Sequence, residues 1–413
     1  MISRMHEHGF TDEQLPVAWE KTGEMKPISN GPGDNSKTFP LFFETAFIAR
    51  DFCWKQWTFL SPCFGGSRHL TLEPNHVLPL ISRSMMLKTG TFGTSQVKIH
   101  HTHLDISPKP TEKENPYIAM KQIHTRGQDK FDKDKSAIVR IHQLKHKHLI
   151  EVIGSFDIGD VYSFLLPWAE SGHLEEFWKN DKQGERSPDL ILWALEQMKG
   201  LASAVKELNN LIVKDSSNET GRHGDLKPEN ILLVDVGSAS TPHGVLRITN
   251  VGLSRFQMVF TTWRERNITP RGATYQYAPP EAHSRETDEK SRLFEIWSLG
   301  CVFLEFLTWL LQGYDEIISL RNKRRIHFEC DYSQFYTYKK KQFIVHPAVE
   351  SHMDLLRADE RCLRTSCFRD LLDVIKDMLI VDVDKRLEFP ELDNRLGIIF
   401  DRARADDAYL CGL

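Results

Sequence analysis

The sequence lacks paired cysteines. Its seven are scattered through 413 residues, odd in number and without a C-x-x-C spacing. That excludes a disulfide framework and a zinc site, and suits reduced thiols in an intracellular protein, cytoplasmic or nuclear. The first residues, Met1-Ile2-Ser3-Arg4-Met5-His6-Glu7-His8, carry no apolar core, so no signal peptide is expected. Long hydrophobic runs are missing as well. The longest, 301–311, contains Glu305 and is too short to span a bilayer, so no membrane partner is expected. Net charge is small, −4, which offers no bulk attraction for nucleic acid. No repeat period is evident. What remains is a chain that is 40% hydrophobic, enough for one large or two medium domains with a sizeable core.

Composition changes along the chain. Residues 1–40 are polar, with Ser29-Asn30-Gly31-Pro32-Gly33-Asp34-Asn35-Ser36 as a breaker run, and read as a flexible tail. Residues 41–80 are aromatic, including Phe42, Phe43, Phe47, Phe52, Trp54, Trp57 and Phe59. They read as an ordered extension packed on the domain that follows, either structural or regulatory. A strand–loop–strand is predicted over 78–99, a loop over 101–115 and a strand over 117–123 carrying Lys121. A helix is predicted over 135–144 and a strand over 161–166. Ser187-Pro188-Asp189 reads as an N-cap with proline at the first helical position, opening a helix through Leu208. Residues 213–222 form a polar insertion. Strands follow at 231–234 and 245–248, and helices at about 294–311 and 368–380.

The most informative stretch is His223-Gly224-Asp225-Leu226-Lys227-Pro228-Glu229-Asn230, ahead of the apolar run Ile231-Leu232-Leu233. It sets a carboxylate, an ammonium and an amide within six positions, just before a strand. That set suits phosphoryl transfer. Asp225 can accept a hydroxyl proton, Lys227 can neutralise a γ-phosphate and Asn230 can hold a magnesium ion. Against it stands Asn250, where this chemistry wants a second carboxylate. Magnesium is a compact, hard cation, and an amide oxygen brings it no negative charge.

At these residues the chain resembles eukaryotic-type Ser/Thr protein kinases, and other motifs fall in that family's order over roughly 81–400. Lys88-Thr89-Gly90-Thr91-Phe92-Gly93 resembles the tip of the glycine-rich loop; a plain hairpin with two glycines is an equal reading. Ile118-Ala119-Met120-Lys121 resembles the strand whose lysine holds the α and β phosphates; a surface strand lysine is the alternative. Pro167-Trp168-Ala169 resembles the hinge, with Pro167 and Ala169 offering backbone groups to adenine and Leu166 as gatekeeper. Asn250-Val251-Gly252 stands at the Asp-Phe-Gly position. Tyr277-Ala278-Pro279-Pro280-Glu281 resembles the end of the activation segment, whose Glu281 is expected to pair with Arg386. Thr274 would bond Asp225 and Lys227, and Glu295 would cap the catalytic-loop amides. The aromatic extension and the Pro-Trp hinge are similar to those of kinases from filamentous fungi.

The resemblance implies an α+β, two-lobed protein kinase-like fold: a β-rich N-lobe at 81–167, a helical C-lobe at 168–400 and a tail at 401–413. It implies ATP and Mg2+ as cofactors and a protein hydroxyl as acceptor. Catalytic roles fall to Asp225, Lys227 and Lys121. Nucleotide-binding roles fall to Gly90, Gly93, Lys121, Pro167, Ala169 and Asn230, and metal ligation to Asn230 and Asn250. The chain departs from the family at Lys88, at Asn250, and at Ala137, where a helix glutamate would pair with Lys121; Asp134 lies one turn earlier. Gly224 replaces an arginine that usually meets an activation-segment phosphate, so phosphorylation there is not expected to be the main switch. Phosphotransfer is expected to be slow or absent. The rival is a pseudokinase that binds a nucleotide or a partner, and a third reading is a small-molecule kinase. His100-His101-Thr102-His103 and the basic runs Arg321-Asn322-Lys323-Arg324-Arg325 and Lys339-Lys340-Lys341 are read as solvated surface.

Overall fold

The computed structural model describes residues 15, 17–19, 25–27, 46–85, 87–89, 92–107, 109–111, 115–124, 144–181, 186–213, 223–239, 241–250, 276–283, 293–325 and 333–411. The chain divides into two units, Met1–Phe131 with Val152–Trp168, and Asp132–Glu151 with Ala169–Leu413.

In chain order the first unit contains β1 (Val17–Trp19), β2 (Met25–Pro27), α1 (Ala46–Phe59), β3 (Phe64–Gly65), β4 (His69–Leu72), β5 (Leu80–Arg83), β6 (Leu87–Thr89), β7 (Phe92–Ile99), β8 (Leu104–Asp105), β9 (Tyr117–His124), β10 (Gly154–Ile158) and β11 (Val161–Pro167). Its main sheet runs β4-β10-β11-β9-β7-β5, with β6 also on β7. Strand β7 shows why these residues form a sheet: Ser95, Val97 and Ile99 are buried while Thr94, Gln96 and Lys98 are not. Val97 and Ile99 meet Ile118, Met120, Phe156 and Leu165 in one core.

Two expectations change here. Within the predicted flexible tail, β1 pairs with β2, and Gln56 of α1 grips the hairpin. Its Oε1 accepts from Val17 N at 2.9 Å and its Nε2 donates to Val17 O at 2.7 Å. The aromatic extension does more than pack on the sheet, because β4 joins it as a parallel edge strand beside β10. Side chains zip that edge: the His69 ring bonds Ser155 Oγ at 2.9 Å and Asp157 Oδ1 at 2.5 Å, and stacks on Tyr162. Gly65 is required where β3 meets β8, since a Cβ there would lie 2.1 Å from Asp105 O. Of the predicted aromatic set, Trp57 is buried while Phe47, Trp54 and Phe59 are exposed.

The second unit contains α2 (Leu174–Asn180), α3 (Pro188–Val213), β12 (Ile231–Val234), β13 (Val245–Ile248), α4 (Phe294–Gln312), α5 (Tyr314–Lys323), β14 (Tyr336–Lys339), β15 (Gln342–Val345), α6 (Pro347–Arg357), α7 (Glu360–Arg364), α8 (Ser366–Met378), α9 (Phe389–Ala405) and α10 (Asp407–Cys411). Ser187 caps α3 by accepting from Leu190 N at 3.2 Å. Helix α4 is apolar on every side and has the length of a membrane span, but all of it through Leu311 is buried in this unit. Within the expected C-terminal tail the described residues are largely helical. α9 runs past residue 401, and Tyr409 of α10 is buried with its hydroxyl donating to Asp370 Oδ2 at 2.7 Å. The predicted helix at 135–144 lies outside the described residues, except that Leu144 is not helical. The small β-rich and large helical units are the α+β arrangement the sequence implies.

Candidate active site

In the second unit the turn at 223–230 is fixed from the hairpin behind it. Thr249 N donates to Asn230 O at 2.9 Å, continuing the β12–β13 pairing into the turn. Asn230 N closes a 3-10 turn on Lys227 O at 2.9 Å, with Pro228 at its first position. His223 locks the other end. Its Nε2 donates to Thr249 O at 2.7 Å and its Nδ1 accepts from Asp225 N at 3.3 Å. Both ring nitrogens are thus engaged in holding the turn. Gly224 sits at φ +73°, where glycine is unstrained, and its N–H donates to Glu295 Oε1 at 2.8 Å. Glu295, at the start of α4, is buried.

This scaffold brings Asp225, Lys227 and Asn230 together. Asn230 Nδ2 donates to Asp225 O at 2.7 Å and to Asp225 Oδ2 at 2.8 Å. Asp225 Oδ1 lies 3.2 Å from Lys227 Nζ and accepts no other hydrogen bond among the described residues. A carboxylate with one oxygen pinned and the other beside an ammonium is oriented to accept a proton from a hydroxyl.

Asn250 reaches the same cluster. Its Nδ2 donates to Asn230 Oδ1 at 2.6 Å, from a backbone at φ +66° that asparagine tolerates better than most residues. Both residues expected to ligate magnesium are therefore neutral amides, and the ligand oxygen of one is engaged by the other. Magnesium favours charged oxygens in near-octahedral array. The pair does not fit the two-ligand magnesium site that the resemblance implies. Val251, Gly252, Thr274, Gly90, Ala137 and Asp134 lie outside the described residues.

In the first unit, Lys121 sits mid-strand on β9, between Thr94 of β7 and Phe164 of β11. Gly93 pairs with Gln122 on β9 and with Lys88 on β6. Pro167 ends β11 and Leu166 before it is buried. Ala169 opens the next stretch of the second unit, where its carbonyl accepts from Gly172 N at 3.2 Å. Burial pushes the Lys121 ammonium down to about 8. An unfolded lysine holds its proton to about pH 10.4. The charged form is thus the disfavoured one in the fold, and the linked stability rises as pH goes from about 8 to about 10.4. Nucleotide affinity should move the opposite way. It should weaken up to about tenfold per pH unit above about pH 8, and this dependence should vanish in Lys121→Met. Calorimetric titration of nucleotide across that range checks both signs.

The basic run at 321–325 is only partly solvated surface: Asn322, Lys323 and Arg325 are exposed, while Arg321 and Arg324 turn inward. Arg324 is fully buried, and its Nη2 reaches Glu305 Oε1 at 3.2 Å while its guanidinium lies over Phe335. Arg321 bonds Glu305 Oε2 at 2.9 Å, Tyr277 OH at 3.0 Å and Glu175 Oε1 at 2.5 Å. Burial alone would raise the Glu175 carboxyl, but Arg321 outweighs it and holds the group below its usual range. Glu229, two residues after Lys227, is pushed up by burial, with the Glu175 carboxylate adding to the effect. Glu281 and Arg386 pair in bidentate fashion at 2.6 and 3.0 Å, as expected. The histidines at 100–103 are also bonded, not merely solvated: His101 N donates to Asn115 Oδ1 at 2.8 Å and His103 Nδ1 donates to Pro62 O at 3.1 Å. The run 339–341 does sit exposed at the β14–β15 turn.

A β-rich unit with a central lysine strand, and a helical unit with an Asp-x-Lys-x-x-Asn turn set against a hairpin, are the parts of a two-lobed protein kinase-like fold. The family model for the protein kinase domain matches residues 109–395, and the chain belongs to that family. The match begins after β7, so the glycine pair lies before it. A probable serine/threonine-protein kinase of Dictyostelium discoideum is 25% identical over 240 residues, 56% of this chain and 43% of that protein. Serine/threonine-protein kinase tousled-like 2 of Mus musculus is 28% identical over 208 residues, 47% of this chain and 27% of that protein. Serine/threonine-protein kinase CLA4 of Candida albicans is 26% identical over 194 residues, 47% and 17% respectively. The chain spans less than half the length of these relatives. They support a Ser/Thr kinase-like function, and the family generally uses ATP and Mg2+.

Proposed function

We propose that the chain binds ATP and transfers its γ-phosphate to a protein serine or threonine hydroxyl at a low rate. The observation that carries this is the Asp225 carboxylate, pinned through Oδ2 by Asn230 and set with Oδ1 at 3.2 Å from Lys227 Nζ. Asp225 takes the hydroxyl proton, Lys227 and Lys121 meet phosphate charge, and Pro167, Ala169, Gly90 and Gly93 offer backbone to the nucleotide. The low rate follows from Asn250, whose amide is spent on Asn230. The same bond favours a second reading, a pseudokinase that holds nucleotide or a partner without turnover. An intracellular setting, cytoplasmic or nuclear, accords with the free thiols of all six described cysteines.

Radiolabelled phosphotransfer to a generic basic protein tests this with wild type, Asp225→Asn and Asn250→Asp side by side. Asn250→Asp should raise the rate about tenfold or more in magnesium, which corresponds to about 1.4 kcal/mol of barrier. No transfer by either wild type or Asn250→Asp would leave the pseudokinase reading.

A further inference from the structure

The turn around Asp225 is held by two amides whose hydrogen bonds fix which way round each one sits. Asn230 Nδ2 faces Asp225 O and Asp225 Oδ2, two atoms that can only accept. That fixes the Asn230 amide the one way round, so its Oδ1 points at Asn250. At 2.6 Å, Asn250 must present its NH2 to that oxygen. A carboxylate at position 250 would set oxygen against oxygen at this distance. Two acceptors so close repel unless a cation or a proton lies between them. The asparagine removes that need, because it carries the donor itself.

Charge points the same way. Asp225 and Lys227 are one carboxylate and one ammonium 3.2 Å apart, already balanced. The two amides add none. A divalent ion placed on them would bring two positive charges that neither ligand offsets.

We propose that the Asn250 amide stands in for a divalent cation, so that this chain ties its catalytic turn together and binds a nucleoside di- or triphosphate without metal. The nucleotide half of this rests on the function proposed above; the metal half does not. Asn250 joins Asn230, Asn230 joins Asp225, and Asp225 joins Lys227. The phosphate charge that a metal would offset then falls to lysine side chains.

The full chain is tested in two arms. In the first, ADP is titrated calorimetrically in EDTA and in magnesium chloride. Wild type should bind with dissociation constants within about twofold of each other, while Asn250→Asp should bind about tenfold tighter with magnesium than with EDTA. In the second, manganese alone is titrated and its free-ion paramagnetic signal is read. Asn250→Asp should take up the ion and wild type should not. In EDTA, Asn250→Asp should also melt below wild type and regain the difference with manganese, whereas Asn250→Ala should melt low with no recovery. Wild-type ADP binding that disappears in EDTA, or manganese uptake by wild type matching that of Asn250→Asp, overturns the proposal. Should ADP bind in neither condition, the proposed nucleotide function fails, and the manganese arm still decides the role of Asn250.

Discussion

Asp225→Asn should lower phosphotransfer by about 10²- to 10⁴-fold, the usual worth of a positioned general base. The measurement is best made both in wild type and in the Asn250→Asp background, where turnover is expected to be high enough to follow. The substitution keeps shape and removes charge. Its new NH2 must point either at Asn230 Nδ2 or at Lys227 Nζ, both of which are donors. The ion pair with Lys227 is lost in either orientation, and the bond from Asn230 as well when the NH2 faces it, so stability should fall by about 1–3 kcal/mol. The fold should survive, because the turn is also held by His223 on Thr249, Gly224 on Glu295 and Asn230 on Lys227. Nucleotide affinity should change little. A rate in Asp225→Asn equal to that of its parent would remove Asp225 from the chemistry, whatever the motif around it.

Much of this was legible in the sequence where the signal is local. Ser187-Pro188 announces the start of α3 because a cap and a fixed φ act within one turn. The strand–loop–strand pattern over 78–99 announces β5, β6 and β7, which fall within it. The cluster in the turn at 223–230 is readable because Asp225, Lys227 and Asn230 lie within six positions of the chain, although the partners that fix the turn, Thr249 and Glu295, are distant. What stayed hidden depends on distant partners. Strand β4 is only His69-Leu70-Thr71-Leu72, and its partner β10 comes some 86 residues later, so nothing local marks it as part of the sheet. The tail hairpin is fixed by Gln56, 39 positions from Val17. The basic run at 321–325 looks like surface until the buried carboxylate that it serves is known. That carboxylate had left a trace. Helix α4 holds only two charged residues, Glu295 and Glu305, and both are buried. A lone carboxylate in an apolar helix must have a partner, and each of these has one.

Glu305 is where the second large effect is expected. Both its oxygens are taken, by Arg324 Nη2 and Arg321 Nε on one side and by Arg321 Nη2 and Tyr277 OH on the other. Glu305 and Arg324 are fully buried. Arg321 has a second carboxylate in Glu175, but Arg324 has no other ion pair among the described residues. Glu305→Leu would strand the Arg324 guanidinium in a site without counter-charge, and should cost about 3–5 kcal/mol in denaturant unfolding. Arg324→Leu alone should cost less, because Glu305 keeps Arg321. The double substitution should lie closer to wild type than the sum of the two, since neither charge is then left stranded, with a coupling of about 0.5–3 kcal/mol. The shift should appear in the midpoint, not the slope, if unfolding stays two-state. Tyr277 ties this cluster to the segment that ends in Glu281, so Glu305→Leu should also loosen the acceptor side of the site and raise KM for the protein substrate before kcat falls. A Glu305→Leu protein as stable as wild type would mean that the buried guanidinium finds its counter-charge elsewhere.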